Sequence, residues 1–267
     1  MPELPEMETY KRLLTDKIKG QTITNVEINR EKSINVPSSL FIQEVTNTSI
    51  VAVERRAKHL IMKLSSGKNL VLHLMLGGWL YFGNDVDSPS RTKQIILFLP
   101  NGNLYFIGLR LGYLHLLYEK ELNEVFAKLG PEPLEKNFTL QLFQQLTESR
   151  RGILKTTLVN QSFIAGIGNC YSDEICFDAG LLPTRKMSEL ADIEKMKLYN
   201  GIISALNRGI NQGGYMDDPF FQGDTLTGNY QTLVYDREGE PCSRCKSKIV
   251  LEMISSKKTF YCRNCQK

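Results

Sequence analysis

Apolar residues recur at three- and four-residue spacings between positions 6 and 19, with Met7, Tyr10, Leu13, Leu14 and Ile18 on one stripe and Gly20 after it. That pattern predicts an amphipathic helix ended by a glycine. From there to about residue 118 the period falls towards two. Strands are expected at 22–28, 50–54, 59–64, 70–76, 94–99 and 104–107, with hairpin turns at Ser65-Ser66-Gly67-Lys68 and Pro100-Asn101-Gly102-Asn103. Residues 84–91 read as a polar loop. Many short strands with few helices between them suggest a β-sandwich or a barrel-like first domain. Leu129-Gly130-Pro131-Glu132-Pro133-Leu134 continues neither a helix nor a central strand, so a boundary falls there. Helical spacing then dominates at 139–146, 153–160, 171–179 and 188–209, with Ser188 placed to cap the last helix. Strand character returns at 231–235, 249–253 and 259–261. The fold class expected is α+β. The domains expected are 1–130, 131–236 and 237–267.

Composition adds bounds. The chain has 267 residues, 42% of them hydrophobic and 23% charged, which suits a globular protein with one or two cores. No apolar run reaches membrane-spanning length, and the acidic N-terminus is unlike a secretory signal. A cytoplasmic location and no membrane partner are expected by default. The net charge of +4 only permits an anionic partner. Its distribution says more. Between positions 241 and 267 stand Arg244, Lys246, Lys248, Lys257, Lys258, Arg263 and Lys267 against the single acid Glu252. Between 149 and 169 stand Arg150, Arg151 and Lys155 with no acid. Two separated basic segments suit a phosphate backbone, and Lys155 is a candidate contact.

Three motifs carry chemistry. Cys242-x2-Cys245, sixteen residues, then Cys262-x2-Cys265 can bring four thiolates tetrahedrally onto one Zn²⁺. With every position filled by sulfur such a metal is structural. Cys170 and Cys176 lack partners at that spacing and read as packing residues. The second motif is Asn160-Gln161-Ser162-Phe163-Ile164-Ala165-Gly166-Ile167-Gly168-Asn169. Its glycines let a backbone approach phosphate, the next helix offers free N–H groups, and Asn169 adds a donor. The third is Met1-Pro2-Glu3-Leu4-Pro5-Glu6. Without Met1 the chain would begin with a secondary amine, and a terminal α-amine has a reference pKa of roughly 8, far below that of lysine. Such an amine attacking C1′ of a sugar gives an iminium, with Glu3 and Glu6 close by to move protons and balance charge.

Together PELPE, LGPEPL, NQSFIAGIGN and the YDREGEPC-x2-C…TFYC-x2-CQ tail resemble the bacterial formamidopyrimidine-DNA glycosylase and endonuclease VIII superfamily, in order and over the whole chain. The resemblance implies an N-terminal helix and β-sandwich, a helix-two-turn-helix domain and a zinc finger. It also implies a repair glycosylase that excises an oxidised base and cuts the strand by β,δ-elimination. The partner implied is double-stranded DNA containing a damaged base or an abasic site, bound by a monomer. Carried over by position, Pro2 is the nucleophile, Glu3 the proton donor and Glu6 a second carboxylate. Lys58, which alone reads as a solvated surface lysine, contacts the phosphate beside the lesion and assists catalysis. Asn169 binds phosphate, and Lys257 stands where the family has a phosphate-gripping arginine.

The sequence also departs from the family. Leu76 stands where the family has an inserted methionine, and Arg110 is kept as the arginine facing the opposite base. The inserted phenylalanine is missing, which leaves Leu111, Tyr113 or no residue at all in its place. The loop capping a flipped base is here Gly214-Tyr215-Met216-Asp217-Asp218-Pro219, which shares little beyond its glycines. These differences leave the chemistry intact and point away from 8-oxoguanine as the preferred lesion. Two other readings remain at this stage: a paralogue that binds damaged or branched DNA without cutting it, and a zinc-ribbon module joined to an unrelated catalytic domain.

Overall fold

The computed structural model describes all 267 residues, Met1–Lys267, and divides into two compact units. The first comprises residues 1–128 and 212–229, and the second residues 129–211 and 230–267.

The first unit opens with α1 (Leu4–Ile18) and continues through β1 (Asn25–Ile28), a 3-10 turn at Glu31–Ser33 and α2 (Ser38–Val45). Seven strands follow: β2 (Ile50–Arg56), β3 (His59–Leu64), β4 (Asn69–His73), β5 (Trp79–Gly83), β6 (Lys93–Leu99), β7 (Gly102–Ile107) and β8 (Tyr113–Leu117). Helix α3 (Glu119–Phe126) closes the run. Two four-stranded antiparallel sheets form, in the orders β1-β6-β7-β5 and β2-β3-β4-β8. Their inner faces share one core, to which Leu60, Met62, Leu72 and Leu114 come from one sheet and Leu80, Leu97, Leu104 and Phe106 from the other. This is a sandwich, which settles the choice left open with a barrel.

The outer faces are also covered. Ile61, Val71 and Leu117 pack under Leu122 and Phe126 of α3, and Trp79, Tyr81, Ile96, Tyr105 and Ile107 form a second apolar layer. Strands buried on both faces lose the polar half of the alternation. For that reason β5, with its run Trp79-Leu80-Tyr81-Phe82, carries no period-two signal, and neither it nor β8 is among the expected strands. Helices α2 and α3 are likewise additions to the expected elements. The strand expected at 70–76 stops at His73, because Met75 takes a left-handed φ of 53°.

The second unit contains α4 (Leu140–Glu148), α5 (Leu154–Leu158), α6 (Asn169–Ala179), a 3-10 turn at Met187–Glu189, α7 (Asp192–Asn211), and the hairpin β9 (Val250–Ile254) and β10 (Lys257–Tyr261). Ser188 does not cap α7. It lies in the 3-10 turn, and the Glu194 carboxylate accepts the Ala191 N–H at 2.9 Å, which starts the helix later. No strand forms at 231–235. The N–H groups of Leu233, Val234 and Tyr235 all donate to the buried Glu174 carboxylate instead of a ladder.

The expected middle block 131–236 is interrupted, because residues 212–229 return to the first unit. Phe220 is fully buried in the sandwich core, and its carbonyl accepts from Phe82 N at 2.6 Å. Asp224 gathers the loop, accepting from Phe220 N, Leu226 N and the Thr227 hydroxyl. No helix is long and apolar enough to cross a membrane.

Candidate active site

The first constellation is built on the start of α1. Proline in its first turn needs no hydrogen-bond acceptor there, so the helix begins directly after Glu3. Pro2 is buried, and Glu3 and Glu6 are only 2% and 3% exposed. Glu6 joins two segments. One oxygen accepts Glu3 N at 2.8 Å, and the other accepts Tyr215 N at 3.0 Å. Both carboxylates sit at the N-terminal end of α1, the positive end of its dipole. The Tyr215 hydroxyl reaches residue 1, lying 3.2 Å from the Met1 carbonyl oxygen and 3.5 Å from the Met1 amine.

Lys58 enters from the β2–β3 hairpin. Arg56 pairs with His59, so Ala57 and Lys58 form a two-residue turn, with Ala57 at φ 54°. The turn is braced by Arg55, whose guanidinium donates to the Ala57 carbonyl at 3.0 Å and to Glu8 of α1 at 2.9 Å. A left-handed alanine costs about 1–3 kcal/mol and persists only when surrounding structure dictates it. Lys58 is therefore not the solvated lysine that its position in a turn suggests. It is 5% exposed, and burial pushes its pKa down while the charges of Glu3 and Glu6 push it back up. The structure thus gathers Pro2, Glu3, Glu6 and Lys58 in the first unit.

Beside Lys58 is a feature that the sequence did not single out. All three histidines of the chain lie on one face of the sheet, at His59, His73 and His115. The His59 and His73 rings are 4.4 Å apart, and His59 Nε2 is 3.1 Å from the Tyr113 hydroxyl. Burial, with the other histidine's charge second, lowers His59 to about 3; burial and then the Lys58 charge lower His73 to about 4. The available signal was their alternate spacing on what prove to be neighbouring strands.

Two loops of the first unit present apolar tips. Leu76 is 62% exposed and Leu111 63%. The loops interlock through backbone, since a Cβ on Gly108 would strike the Gly77 carbonyl oxygen. Arg110 is exposed beside Leu111, and its carbonyl accepts from Arg30 at 3.0 Å. Tyr113, the other candidate for the missing aromatic, lies within β8 against His59 and stacks on His115 at 4.0 Å. Of the two, Leu111 is the side chain that projects.

In the second unit, the turn before α6 is shaped by Gln161, which donates to the Val159 and Ile167 carbonyls and accepts from Gly166 N. Asn169 is exposed at the first position of α6. Lys155, expected to reach DNA, does not lie on the surface. It is 0% exposed, and its ammonium donates to the Asn169 carbonyl at 2.8 Å, the Ser172 hydroxyl at 2.9 Å and Asp173 at 2.6 Å. An ammonium has three donors, and all three are used. Lys155 braces the turn instead of touching phosphate. Asp173 is raised to about 7 by burial, against the opposing Lys155 charge, and its other oxygen accepts Phe260 N of β10 at 2.9 Å.

The four cysteine sulfurs Cys242, Cys245, Cys262 and Cys265 lie within 4.8 Å of one another. The separations of 3.8 Å for Cys242–Cys265 and 3.4 Å for Cys245–Cys262 bracket the edge of a tetrahedron, which sulfurs about 2.3 Å from one Zn²⁺ would make about 3.8 Å long. The donor set fits one closed, structural zinc ion. Arg244 locks this knuckle to α6, donating to the Phe177 carbonyl at 2.8 Å and stacking on the Phe177 ring. Lys257 opens β10 directly after the Ser255–Ser256 turn and is half-buried. Cys170 and Cys176 are buried away from this cluster.

Comparison with known proteins gives a consistent picture. Three family models match: the formamidopyrimidine-DNA glycosylase N-terminal domain over residues 1–113, the formamidopyrimidine-DNA glycosylase H2TH domain over 129–218, and the zinc finger found in FPG and IleRS over 239–267. The chain is 38% identical to the formamidopyrimidine-DNA glycosylase of Pelotomaculum thermopropionicum, covering 100% of this chain and 99% of that protein. It is 36% identical to that of Carboxydothermus hydrogenoformans, with 100% of both covered. Among solved structures it is similar to Lactococcus lactis FPG. A single-site mutant of that protein in complex with Fapy-dG-containing DNA gives a TM-score of 0.92 at 27% identity, with 100% of both chains covered. The wild-type protein bound to N7-benzyl-Fapy-dG DNA gives 0.92 at 28%, again with 100% of both chains covered.

Proposed function

The chain belongs to the formamidopyrimidine-DNA glycosylase family, and from that premise we propose that it is a base-excision repair glycosylase with abasic-site lyase activity, acting on oxidised or ring-opened bases in double-stranded DNA. The observation that carries this reading is the buried carboxylate pair Glu3 and Glu6 beside Pro2, with Lys58 held in their field.

Removal of Met1 exposes the Pro2 secondary amine. Its lone pair bonds to C1′ of the damaged nucleotide while the glycosidic bond breaks, its electrons leaving with the base, which takes a proton from solvent. The nitrogen's proton passes to Glu3 and from there to O4′ as the C1′–O4′ bond opens, and the freed lone pair closes the iminium. The iminium acidifies C2′, so the 3′-phosphate is eliminated first and the 5′-phosphate next. Lys58 balances the phosphate charge beside the lesion, and the second carboxylate, Glu6, steadies the N-terminus through Glu3 N. Asn169 and Lys257 hold backbone phosphates. Leu76 and Leu111 enter the space left by the flipped nucleotide and offset the unstacking, a cost of a few kcal/mol, while Arg110 faces the opposite base. The zinc ion, when bound, folds the hairpin that carries Lys257.

The protein acts as a monomer in the cytoplasm, where the DNA is. The unusual Tyr215–Pro219 stretch and the two leucines set a lesion preference other than 8-oxoguanine. The test is a panel of duplexes carrying oxidised pyrimidines, Fapy-dG, 8-oxoguanine or an abasic site. The expected result is a one-nucleotide gap with phosphate at both ends, with 8-oxoguanine opposite cytosine not the best substrate. Binding to every damaged duplex with no cleavage would establish the non-cutting paralogue instead.

A further inference from the structure

Tyr215 carries a consequence for the nucleophile itself. Its hydroxyl lies 3.2 Å from the carbonyl oxygen of the Met1–Pro2 peptide. Peptide geometry puts that oxygen and the Pro2 nitrogen about 2.3 Å apart on the same carbon, so the hydroxyl already touches the group whose removal frees the amine. The hydroxyl also lies 3.5 Å from the Met1 amine, so the phenol already faces a nitrogen of residue 1.

The tyrosine is not a loose loop residue. Its own N–H is fixed on Glu6 Oε1 at 3.0 Å, and the other Glu6 oxygen holds Glu3 N at 2.8 Å. Gly214 precedes it at φ 79°, and a Cβ there would collide with Glu6. Glycine is needed for both conformation and close approach. The loop is anchored further along by Phe220 in the sandwich core. One carboxylate therefore sets the register between the first helical turn and the residue whose hydroxyl reaches position 1.

We propose that Tyr215 is a further catalytic residue whose hydroxyl hydrogen-bonds the Pro2 amine of the processed chain and orients its lone pair towards C1′. The inference rests on the reading of Pro2 as the nucleophile. A neutral secondary amine has one N–H and one lone pair. When the N–H is donated to the phenol oxygen, the lone pair is left on the open side. The same oxygen also accepts from the protonated amine, so it stabilises the charged form as well.

The experiment compares wild type, Tyr215→Phe and Tyr215→Ala, each confirmed by mass spectrometry to begin at Pro2. Single-turnover borohydride trapping on an abasic duplex is followed from pH 5.5 to 9, with affinity read by fluorescence anisotropy. Tyr215→Phe should lower the trapping plateau about five- to tenfold, the size of one hydrogen bond. It should also move the inflection to lower pH, because the acceptor for the charged amine is gone, and leave affinity unchanged. Equal plateaus and inflections for wild type and Tyr215→Phe would overturn the inference. So would a loss seen only in Tyr215→Ala, which would assign the effect to the ring, or a loss seen only in affinity. If wild type itself forms no adduct, the Pro2 reading fails and this inference with it; an adduct with an unaffected Tyr215→Phe sinks the inference alone.

Discussion

Each unit of the chain buries one lysine among acids, and the two lysines are held in different ways. Lys155 donates to a carbonyl, a hydroxyl and a carboxylate at 2.6–2.9 Å, and no part of it is exposed. Lys58 sits in a hairpin turn whose own alanine is strained, its pKa pushed down by burial and up by two carboxylates. An ammonium with all donors satisfied inside the fold is a brace. An ammonium desolvated at a turn and offset by the charges of two carboxylates fits the phosphate-contacting role proposed for Lys58. Burial alone does not distinguish structure from function; the arrangement of partners does.

The comparison is broken most sharply by replacing each lysine with methionine. Lys155→Met should cost about 3–5 kcal/mol, since it leaves Asp173 buried without its counter-ion. The double variant Lys155→Met/Asp173→Leu should recover much of that loss in urea unfolding. Lys58→Met should leave stability within about 1 kcal/mol of wild type. Its strand cleavage on an abasic duplex should fall about a hundredfold. If both single variants lost stability equally and Lys58→Met kept its cleavage, the contrast would be wrong.

A second expectation separates the units by what unfolds them. Chelation of zinc should collapse the β9–β10 hairpin and its link from Phe260 N to Asp173, weakening DNA binding while the sandwich keeps its near-ultraviolet signal. Acid should act on the sandwich. His59 and His73 are lowered in the folded state, to about 3 and about 4 from 6.5, so below pH 6.5 the unfolded chain binds more protons than the native one. Stability is therefore fully present above 6.5 and falls as pH drops from 6.5 through 4 towards 3, with a loss of a few kcal/mol. Urea midpoints at pH 7 and pH 5 measure it, and His59→Phe should flatten the slope. The smallest effect expected is at the loop tips. Leu111→Ala should reduce excision severalfold with no change in stability, because the side chain is exposed.

Much of the fold was legible where a local rule decides it. The 3.6-residue stripe of α1 and the paired Cys-x2-Cys spacings each depend on residues close in sequence. What stayed hidden depends on distant partners. The basic run 150–155 gave no sign that Lys155 points inward, because Asp173 lies eighteen residues on, beyond a turn. Phe220 looked like a helical-domain residue until the sandwich core was seen to need it. Lys58 read as solvent-facing because the carboxylates whose charges reach it stand at the start of α1, more than fifty residues earlier. The departures at Leu76, Leu111 and the Tyr215 loop were visible as letters, but only the interlocked loops and the Glu6 bridge give them places.

The central claim is that the chain's own second residue becomes the nucleophile. Borohydride reduction during reaction with an abasic duplex, followed by proteolysis and mass spectrometry, measures it directly. The account predicts a deoxyribose-derived adduct on an N-terminal peptide that begins at Pro2. An adduct on a lysine such as Lys58, or a mature chain that still carries Met1 and forms no adduct, would contradict it.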